Sequence, residues 1–474
     1  MTATIARVGQ SIDAVLEGSG DGTLVGATHD SGAVEPGWLF CCVPGANVDG
    51  HEFAGVAIDA GASALLAERT VDDRVPQLIV ADARSAMGPA AAEIYEHPSR
   101  ELAVVGVTGT NGKSSVVQLI ADIWSGAGHR AESYGTLTGA RTTPEAPDLQ
   151  RRLRESRTRG VEAVAIEVSS HALELHRVSG TRFAAAIFTN LGRDHLDFHH
   201  DMESYFRAKA ALFDPRYTGT AVINVDDPYG RRLVAEVGRL DGIEVVPYEL
   251  ADAEGLVFDG PITRFTWQGH QVVLQLAGRH NVANALAAAS AAVAAGIDTN
   301  DIADALCATQ PVRGRFELIQ VGQPFTLAVD YAHTPDALDA VLDASRQVAV
   351  GRVIVVFGCG GDRDQDKRPE MGLVVDRAAD VAVVTSDNPR SEDPDRIIED
   401  VVSGMTSGAG GGPAARIIVE PDRRKAIAAA VAAAGAGDLV LIAGKGHETV
   451  QLVGDREVPF DDRQVALEAL GVVG

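Results

Sequence analysis

Short β-branched apolar runs recur along the chain, and each stops abruptly at polar or glycine-rich residues. AVVGV leads to TGTNGKSS, AVAIEV to SSH, AAAIFT to NLGRDHLD and TAVIN to VDD. Farther on, TLAVD leads to YAHTPD, RVIVVF to GCGGDRD, VAVVT to SDNPR and DLVLIA to GKGHE. Between the runs lie longer stretches with helical spacing, such as NVANALAAASAAVAAG and the apolar segment 426–437. Strands alternating with helices predict an α/β fold with parallel sheets, whose ligands bind at the carboxyl ends of the strands. The polar residues of this chain fall at those ends.

A chain of 474 residues is too long for one ordinary core. The pattern predicts three domains: a small α/β unit over 1–97, a central parallel-sheet unit carrying a glycine loop over 98–312, and a further unit of apolar strands separated by helices over 313–474. The glycine-rich stretch 407–414 reads as a surface loop.

Composition narrows the function. Apolar residues make up 46% and charged residues 23%, as in a foldable soluble chain. Forty-one basic against 66 acidic residues give a net charge of −25, which disfavours a nucleic-acid or anionic-membrane surface. No apolar stretch is long enough to span a bilayer, and the first residues lack a signal-peptide pattern. Cys41, Cys42, Cys307 and Cys359 form no metal or disulfide spacing, which suits free thiols in the cytoplasm.

GVTGTNGKSS (106–115) departs from the standard phosphate loop, because Val107 stands where its first glycine belongs. A strand before it, three glycines and Gly112-Lys113-Ser114 in register still predict a nucleotide site, with Lys113 on the phosphates and Ser114 able to ligate Mg²⁺. Glu167 and His195 end or follow neighbouring strands and could serve a hard cation at ATP. Taken singly, without the glycine loop, each reads more readily as a structural residue or part of a solvated turn. Lys209 in YFRAKAALF reads by default as a snorkelling lysine. Arg363, Lys367 and Arg368, with Asp387, Asn388 and Arg390, mix cations, acids and an amide as a zwitterionic ligand requires. A turn with surface ion pairs is the alternative.

The ordered set GVTGTNGKSS, EVSSHAL…HRVSG, FTNLGRDHLDFH…AKAALF, GRHNVANALAA, VRGRFE, DYAHTPDAL, FGCGGDRDQDKRPEMG, TSDNPRSEDP and AGKGHE resembles the Mur ligase family across nearly the whole chain. THDSGAVEPGWLFCCVPGANVDGHEFA extends the resemblance to the first segment. The likeness is to the branch that adds the third amino acid to the UDP-N-acetylmuramoyl dipeptide. It implies an ATP-dependent ligase with uridine-nucleotide, phosphate-loop ATPase and Rossmann-like amino-acid domains, two Mg²⁺ ions beside ATP and an acyl-phosphate intermediate. It implies a monomer and small-molecule partners only.

By that resemblance Gly109, Thr110, Asn111, Gly112, Lys113, Ser114 and Ser115 hold ATP, with Asn281, Asn284, Arg315 and Asp330. Glu167, His195 and Ser114 organise metal, and Lys209 matches a carbamylated lysine that serves as a further metal ligand. Ser31, Ala46, Asn47, Val48, Thr142, Thr143, Ser169 and Arg177 match the UDP-sugar peptide site. Arg363, Asp387, Asn388, Pro389, Arg390, Gly444 and Glu448 match the amino-acid site, and DNPR is the form associated with meso-diaminopimelate. Gly32, Arg141 and Leu175 depart from common family residues.

Other readings are the lysine-adding ligase, a folylpolyglutamate-synthetase-like ligase, a nucleotide-dependent switch ATPase and a non-catalytic relative. THDS…GANVDGH weighs against the folate enzyme, and DNPR against lysine. A switch ATPase has no use for the zwitterion cluster, and a binding relative has no need of Lys113, Glu167 and His195 together.

Overall fold

The computed structural model describes residues 3–45, 48–139, 141–405 and 415–472. Ala46, Asn47 and the glycine-rich stretch 407–414 lie outside the described residues.

Three larger sheets follow one another along the chain. The first has five strands in the order Val15–Glu17, Gln77–Ile79, Ala64–Ala67, Trp38–Cys41, Gly26–Thr28. Only Val15–Glu17 runs antiparallel to its neighbour. The second has six parallel strands, in the order Glu244–Tyr248, Thr220–Asn224, Ala185–Phe188, Ala103–Thr108, Ala163–Glu167, Ala131–Tyr134. The third runs Glu317–Ile319, Thr326–Asp330, Leu439–Ala443, Val353–Phe357, Val381–Val384, Arg416–Val419, with only the first strand antiparallel.

The unbroken apolar runs are strands covered on both faces: every residue of Ala163–Glu167, Val353–Phe357 and Leu439–Ala443 is buried. Helices Lys113–Gly126 and Arg279–Ala294 pack against the central sheet, with Ile120, Ile123, Val282 and Leu286 in one core. The alanine-rich face of the second helix allows this close approach.

One element was not expected from the strand–helix rhythm. Glu254–Asp259, Ile262–Trp267 and His270–Leu274 form an antiparallel sheet. Thr263, Phe265 and Trp267 alternate inward along its middle strand, and Phe265 and Trp267 join the same core as Ile120. Burying each of these rings contributes on the order of 1.5–3 kcal/mol. A second hairpin, Val450–Val453 with Arg456–Pro459, lies beside the SDNPR turn.

Val107 explains the displaced glycine of the loop. It is still strand, fully buried and in register with Glu167, so the loop begins two residues later. Gly109 carries the change of direction: a Cβ there would stand 1.9 Å from the Thr189 hydroxyl. Gly112 has φ +89°, and a Cβ on it would come within 2.4 Å of Asn284 Oδ1.

Candidate active site

The carboxyl ends of the central and third sheets face one cleft of about 620 Å³. The loop residues Thr110–Ser115 and the strand-end residue Glu167 line it from one side, and Arg315 and Asp330 from the other. Asn281, Asn284, Thr142 and Ser169 also line it.

Two lysine side-chain nitrogens converge on one carbonyl of the loop. Lys113 Nζ donates to the oxygens of Gly109 and Thr110, both at 2.9 Å, and Lys209 Nζ donates to Gly109 O at 2.8 Å. Lys209 ends helix Met202–Ala210, is only 1% exposed and lies 4.5 Å from the centre of the Tyr205 ring. Burial and the neighbouring Lys113 hold its pKa well below the ordinary lysine value, although Asp194 opposes them. Lys209 is therefore an interior amine, not a snorkelling side chain.

Glu167 is fixed by Thr136, whose N–H donates to Oε1 at 2.9 Å and whose hydroxyl donates to Oε2 at 3.2 Å. Thr143 is fully buried, and its hydroxyl donates to Glu167 O at 2.7 Å while accepting from Ser169 N at 3.2 Å. Its polar atom is thus committed to tying the segment before helix Ala146–Thr158 to the end of strand Ala163–Glu167.

His195 has φ +56° at the start of the short helix Leu196–His199 and stands 4.8 Å, edge on, from His171. Burial pushes its pKa down to about 3 against the pull of Asp194, so the imidazole is neutral and has a free lone pair. Asp194 sits between His195 at 3.5 Å, Lys367 at 3.3 Å and His333 at 3.8 Å. Burial would raise its pKa, but these three neighbours hold it well below the carboxylate range.

Among the described residues no three His, Cys, Asp or Glu side chains form a ready-made metal cage. Ser114, Glu167 and His195 line the same cleft, and so sparse a set would suit Mg²⁺, which keeps waters and takes few protein ligands beside substrate phosphates. Ser114, Glu167 and His195 supply a hydroxyl, a carboxylate and a neutral imidazole.

Arg315 crosses the cleft to donate to Ser114 Oγ at 2.9 Å, with its guanidinium 4.5 Å from the centre of the Tyr331 ring. Asp330 is buried, accepting from the N–H groups of Phe316 at 2.6 Å and Ala332 at 2.7 Å. Asn281 spends one amide hydrogen on Ala277 O at 2.8 Å.

A second hollow, of about 740 Å³, lies between the first sheet's loops and the central unit. Ser31, Val48, Arg141 and Asp148 line it. Glu145 there accepts from Arg141 at 2.7 Å and pairs with Arg177 at 2.9 Å, so Arg141 belongs to the same cluster as Arg177. Gly32 donates its N–H to Asp30 Oδ1 at 2.9 Å, and Leu175 closes helix Ser170–Glu174.

The third cluster surrounds the SDNPR turn. Asn388 Nδ2 donates to Glu448 Oε2 at 2.9 Å, Arg390 Nη1 donates to Gly361 O at 2.7 Å, and Arg363 is exposed beside them. Pro389 leads into Arg390, whose backbone pairs with the hairpin strand through Leu452 O at 3.0 Å. Gly444 has φ +116°, and a Cβ on it would lie 2.4 Å from Asp387 Oδ2.

The cluster read as Arg363, Lys367 and Arg368 divides in the structure. Arg368 is buried and bound to Glu392 and Asp400, and Lys367 turns to Asp194. Lys367 and Arg368 are the buried first residues of helix Lys367–Ala378, whereas Arg363 is exposed in the loop before it.

Sequence reasoning passed over Lys445, Asp194, Thr136 and Tyr331. Lys445 had a usable signal, since Gly444-Lys445-Gly446 follows an apolar strand much as Gly112-Lys113 does. Thr136 carries no such signal.

A parallel sheet ending in a glycine loop, faced across a cleft by a second parallel sheet, defines a multidomain nucleotide-dependent α/β enzyme. Three family signatures match in order: the Mur ligase family catalytic domain over 23–105, the Mur ligase middle domain over 107–292, and the Mur ligase glutamate ligase domain over 314–446. The chain is 45% identical over 479 aligned positions to a Streptomyces coelicolor protein named UDP-N-acetylmuramoyl-L-alanyl-D-glutamate--2,6-diaminopimelate ligase, covering 95% of this chain and 93% of that one. A Geobacillus thermodenitrificans protein of the same name is 43% identical, covering 95% and 96%. A solved structure of a ligase so named superposes with TM-score 0.69 at 31% identity, covering 99% of both chains. The MurF ligase of Thermotoga maritima in complex with ADP, at 19% identity and TM-score 0.65 over 94% of this chain and 96% of that one, shares the fold. The chain belongs to the Mur ligase family, and is an ATP-dependent amide-bond-forming enzyme.

Proposed function

We propose that this ligase adds meso-diaminopimelate to UDP-N-acetylmuramoyl-L-alanyl-D-glutamate in the cytoplasm, as a monomer. The observation that carries the reading is one cleft lined by a phosphate loop, a strand-end carboxylate and a cross-cleft arginine, with the Asn388–Arg390–Glu448 cluster beyond it. The 45% identity with a ligase of that name supports the substrate assignment.

In this reading the segments 1–97, 98–312 and 313–474 hold the UDP-sugar, ATP and the amino acid. The loop N–H groups and Lys113 bind the phosphates, and Arg315 and Asp330 bring the third domain onto the nucleotide. Asn281 and Asn284 frame the nucleotide from helix Arg279–Ala294. Ser114, Glu167, His195 and carbamylated Lys209 would hold Mg²⁺. When bound, Mg²⁺ supplies positive charge against the phosphate oxygens.

The glutamyl carboxylate attacks the γ-phosphorus and ADP leaves, giving an acyl phosphate. The neutral amine of the third amino acid then attacks the acyl carbon, and phosphate departs carrying the proton that the nitrogen gives up as the amide forms. Lys113 and the loop dipoles offset charge in both steps. Ser31, Val48, Thr142, Ser169 and Arg177 orient the UDP-muramoyl dipeptide. Arg390 faces the second carboxylate that distinguishes diaminopimelate from lysine, since a guanidinium suits planar carboxylate recognition.

The test is phosphate release with ATP, Mg²⁺ and the UDP-muramoyl dipeptide, comparing meso-diaminopimelate, L-lysine and no amino acid, with product masses recorded. A tripeptide only with diaminopimelate is expected. A lysine product would overturn the specificity, and release indifferent to both amino acids would overturn the ligase assignment.

A further inference from the structure

We propose that Lys445 is a positioning residue for the incoming amino acid, holding the Asn388 amide and the Glu448 carboxylate in the orientation that receives it. The inference rests on the amino-acid site proposed above.

Lys445 follows strand Leu439–Ala443 by two residues and is 0% exposed. Its Nζ donates to Asn388 Oδ1 at 3.0 Å and to Glu448 Oε2 at 2.8 Å. Asn388 Oδ1 also accepts from Leu452 N at 3.0 Å. With two donors on Oδ1, the Asn388 amide has one allowed orientation, and its NH₂ must face Glu448. Both bonds to Glu448 fall on Oε2, which leaves Oε1 outside this network.

Charge arrangement points the same way. Asp462 and Arg423 form a fully buried pair at 2.7 Å. Burial raises the pKa of Asp387, and the charges of Arg423 and Lys445 oppose that rise; Lys445 continues to Glu448. The series alternates Asp462, Arg423, Asp387, Lys445, Glu448: three carboxylates and two cations. The surplus carboxylate suits an ammonium group, and half-buried Arg390 stands nearby for a carboxylate. Burial would raise the Glu448 pKa, but Lys445 and Asn388 bring it below the ordinary value, so Glu448 enters binding as an anion.

A buried lysine that served only as a counterion for folding would, when replaced, lower thermal stability and affect every substrate alike. A positioning residue instead acts on one substrate. In Lys445→Met the KM for diaminopimelate should rise about tenfold or more, the loss of charge-assisted hydrogen bonding. The KM for ATP and for the UDP-muramoyl dipeptide should stay within about twofold. Lys445→Arg keeps the charge but cannot place one compact ammonium between Asn388 and Glu448, so its amino-acid KM should be intermediate.

An unchanged amino-acid KM, or an equal rise for ATP, would overturn the proposal. Should Lys445→Met not fold, Lys445→Arg decides: a wild-type amino-acid KM would overturn it. Failure of the wild-type enzyme to make a tripeptide with diaminopimelate would overturn the substrate reading itself, and this inference with it, before any variant is compared.

Discussion

Arg315 and Ser114 meet at 2.9 Å although they belong to opposite walls of the cleft. The contact joins the third sheet's side of the molecule to the first turn of the helix that follows the glycine loop. A guanidinium there can address the loop and a phosphate together, which a lysine ammonium cannot reproduce. Arg315→Ala should raise the KM for ATP roughly 10- to 100-fold, the scale of a lost charge-assisted hydrogen bond. Arg315→Lys should recover only part. Steady-state kinetics with the other substrates saturating would check this, and an unchanged ATP KM would remove Arg315 from the nucleotide site.

Lys209 offers a test independent of nucleotide affinity. Its amine is interior, and burial with Lys113 alongside favours the neutral form. A neutral amine can add to CO₂, forming an N–C bond and releasing one proton, so that a neutral group becomes an anionic carbamate. Lys209→Ala should abolish ligation while leaving the protein folded by circular dichroism. Short carboxylic acids added to this variant should restore measurable turnover by occupying the space of the missing carbamate. Absence of rescue in a folded variant would count against carbamylation.

The parallel sheets were legible because strands buried on both faces give continuous apolar runs, and because their polar ends mark the ligand edge. That rule points to Lys113, Glu167 and His195, and the three line one cleft. The antiparallel sheet over 254–274 was missed: its strands alternate, as in Thr263, Phe265 and Trp267, and interrupt a strand–helix rhythm. Arg368 was misplaced because charge in a loop-like sequence looks exposed, whereas partners such as Glu392 and Asp400 arrive from segments far along the chain. Lys209 could be read as interior only through the resemblance, since one charge among apolar neighbours has two physical solutions. Lys445 shows the converse, a local signal present but given no weight.

Asp438 makes acid stability testable away from the cleft. Hydrogen bonds from Arg352 hold its pKa down to about 2, and the Arg352 and Gly435 N–H groups each donate to it at 2.8 Å. An unfolded aspartate titrates near ~3.9. The folded state therefore gains stability from this group above about pH 4, and loses it as pH falls from there through the folded value. Asp438→Asn should cost about 1 kcal/mol at neutral pH, a discounted figure because Arg352 is half exposed. In urea melts the gap between variant and wild type should narrow steadily below about pH 4. A gap independent of pH would mean that side-chain shape, not charge, ties these strand starts together.

Arg193 provides the last test, of how the two walls are held together. It lies five residues beyond strand Ala185–Phe188, yet donates to Glu370 at 2.9 Å, Asp366 at 3.1 Å and Asp364 at 3.3 Å on and before helix Lys367–Ala378. Next to it Asp194 pairs with Lys367 at 3.3 Å, both nearly buried. The Arg193 side chain is partly exposed, so each of its pairs is worth about 0.2–1 kcal/mol and weakens with salt. Three such pairs on one guanidinium are still enough to shift an open–closed balance several-fold, provided opening separates them. Arg193→Ala should therefore enlarge the radius of gyration of the free enzyme in solution scattering and reduce kcat/KM roughly 3- to 10-fold. Raising ionic strength should expand the wild type toward the variant while changing the variant less, because the screened pairs are already gone. Matching scattering curves at every salt concentration would show that these pairs move with a rigid cleft and that closure is not what they control.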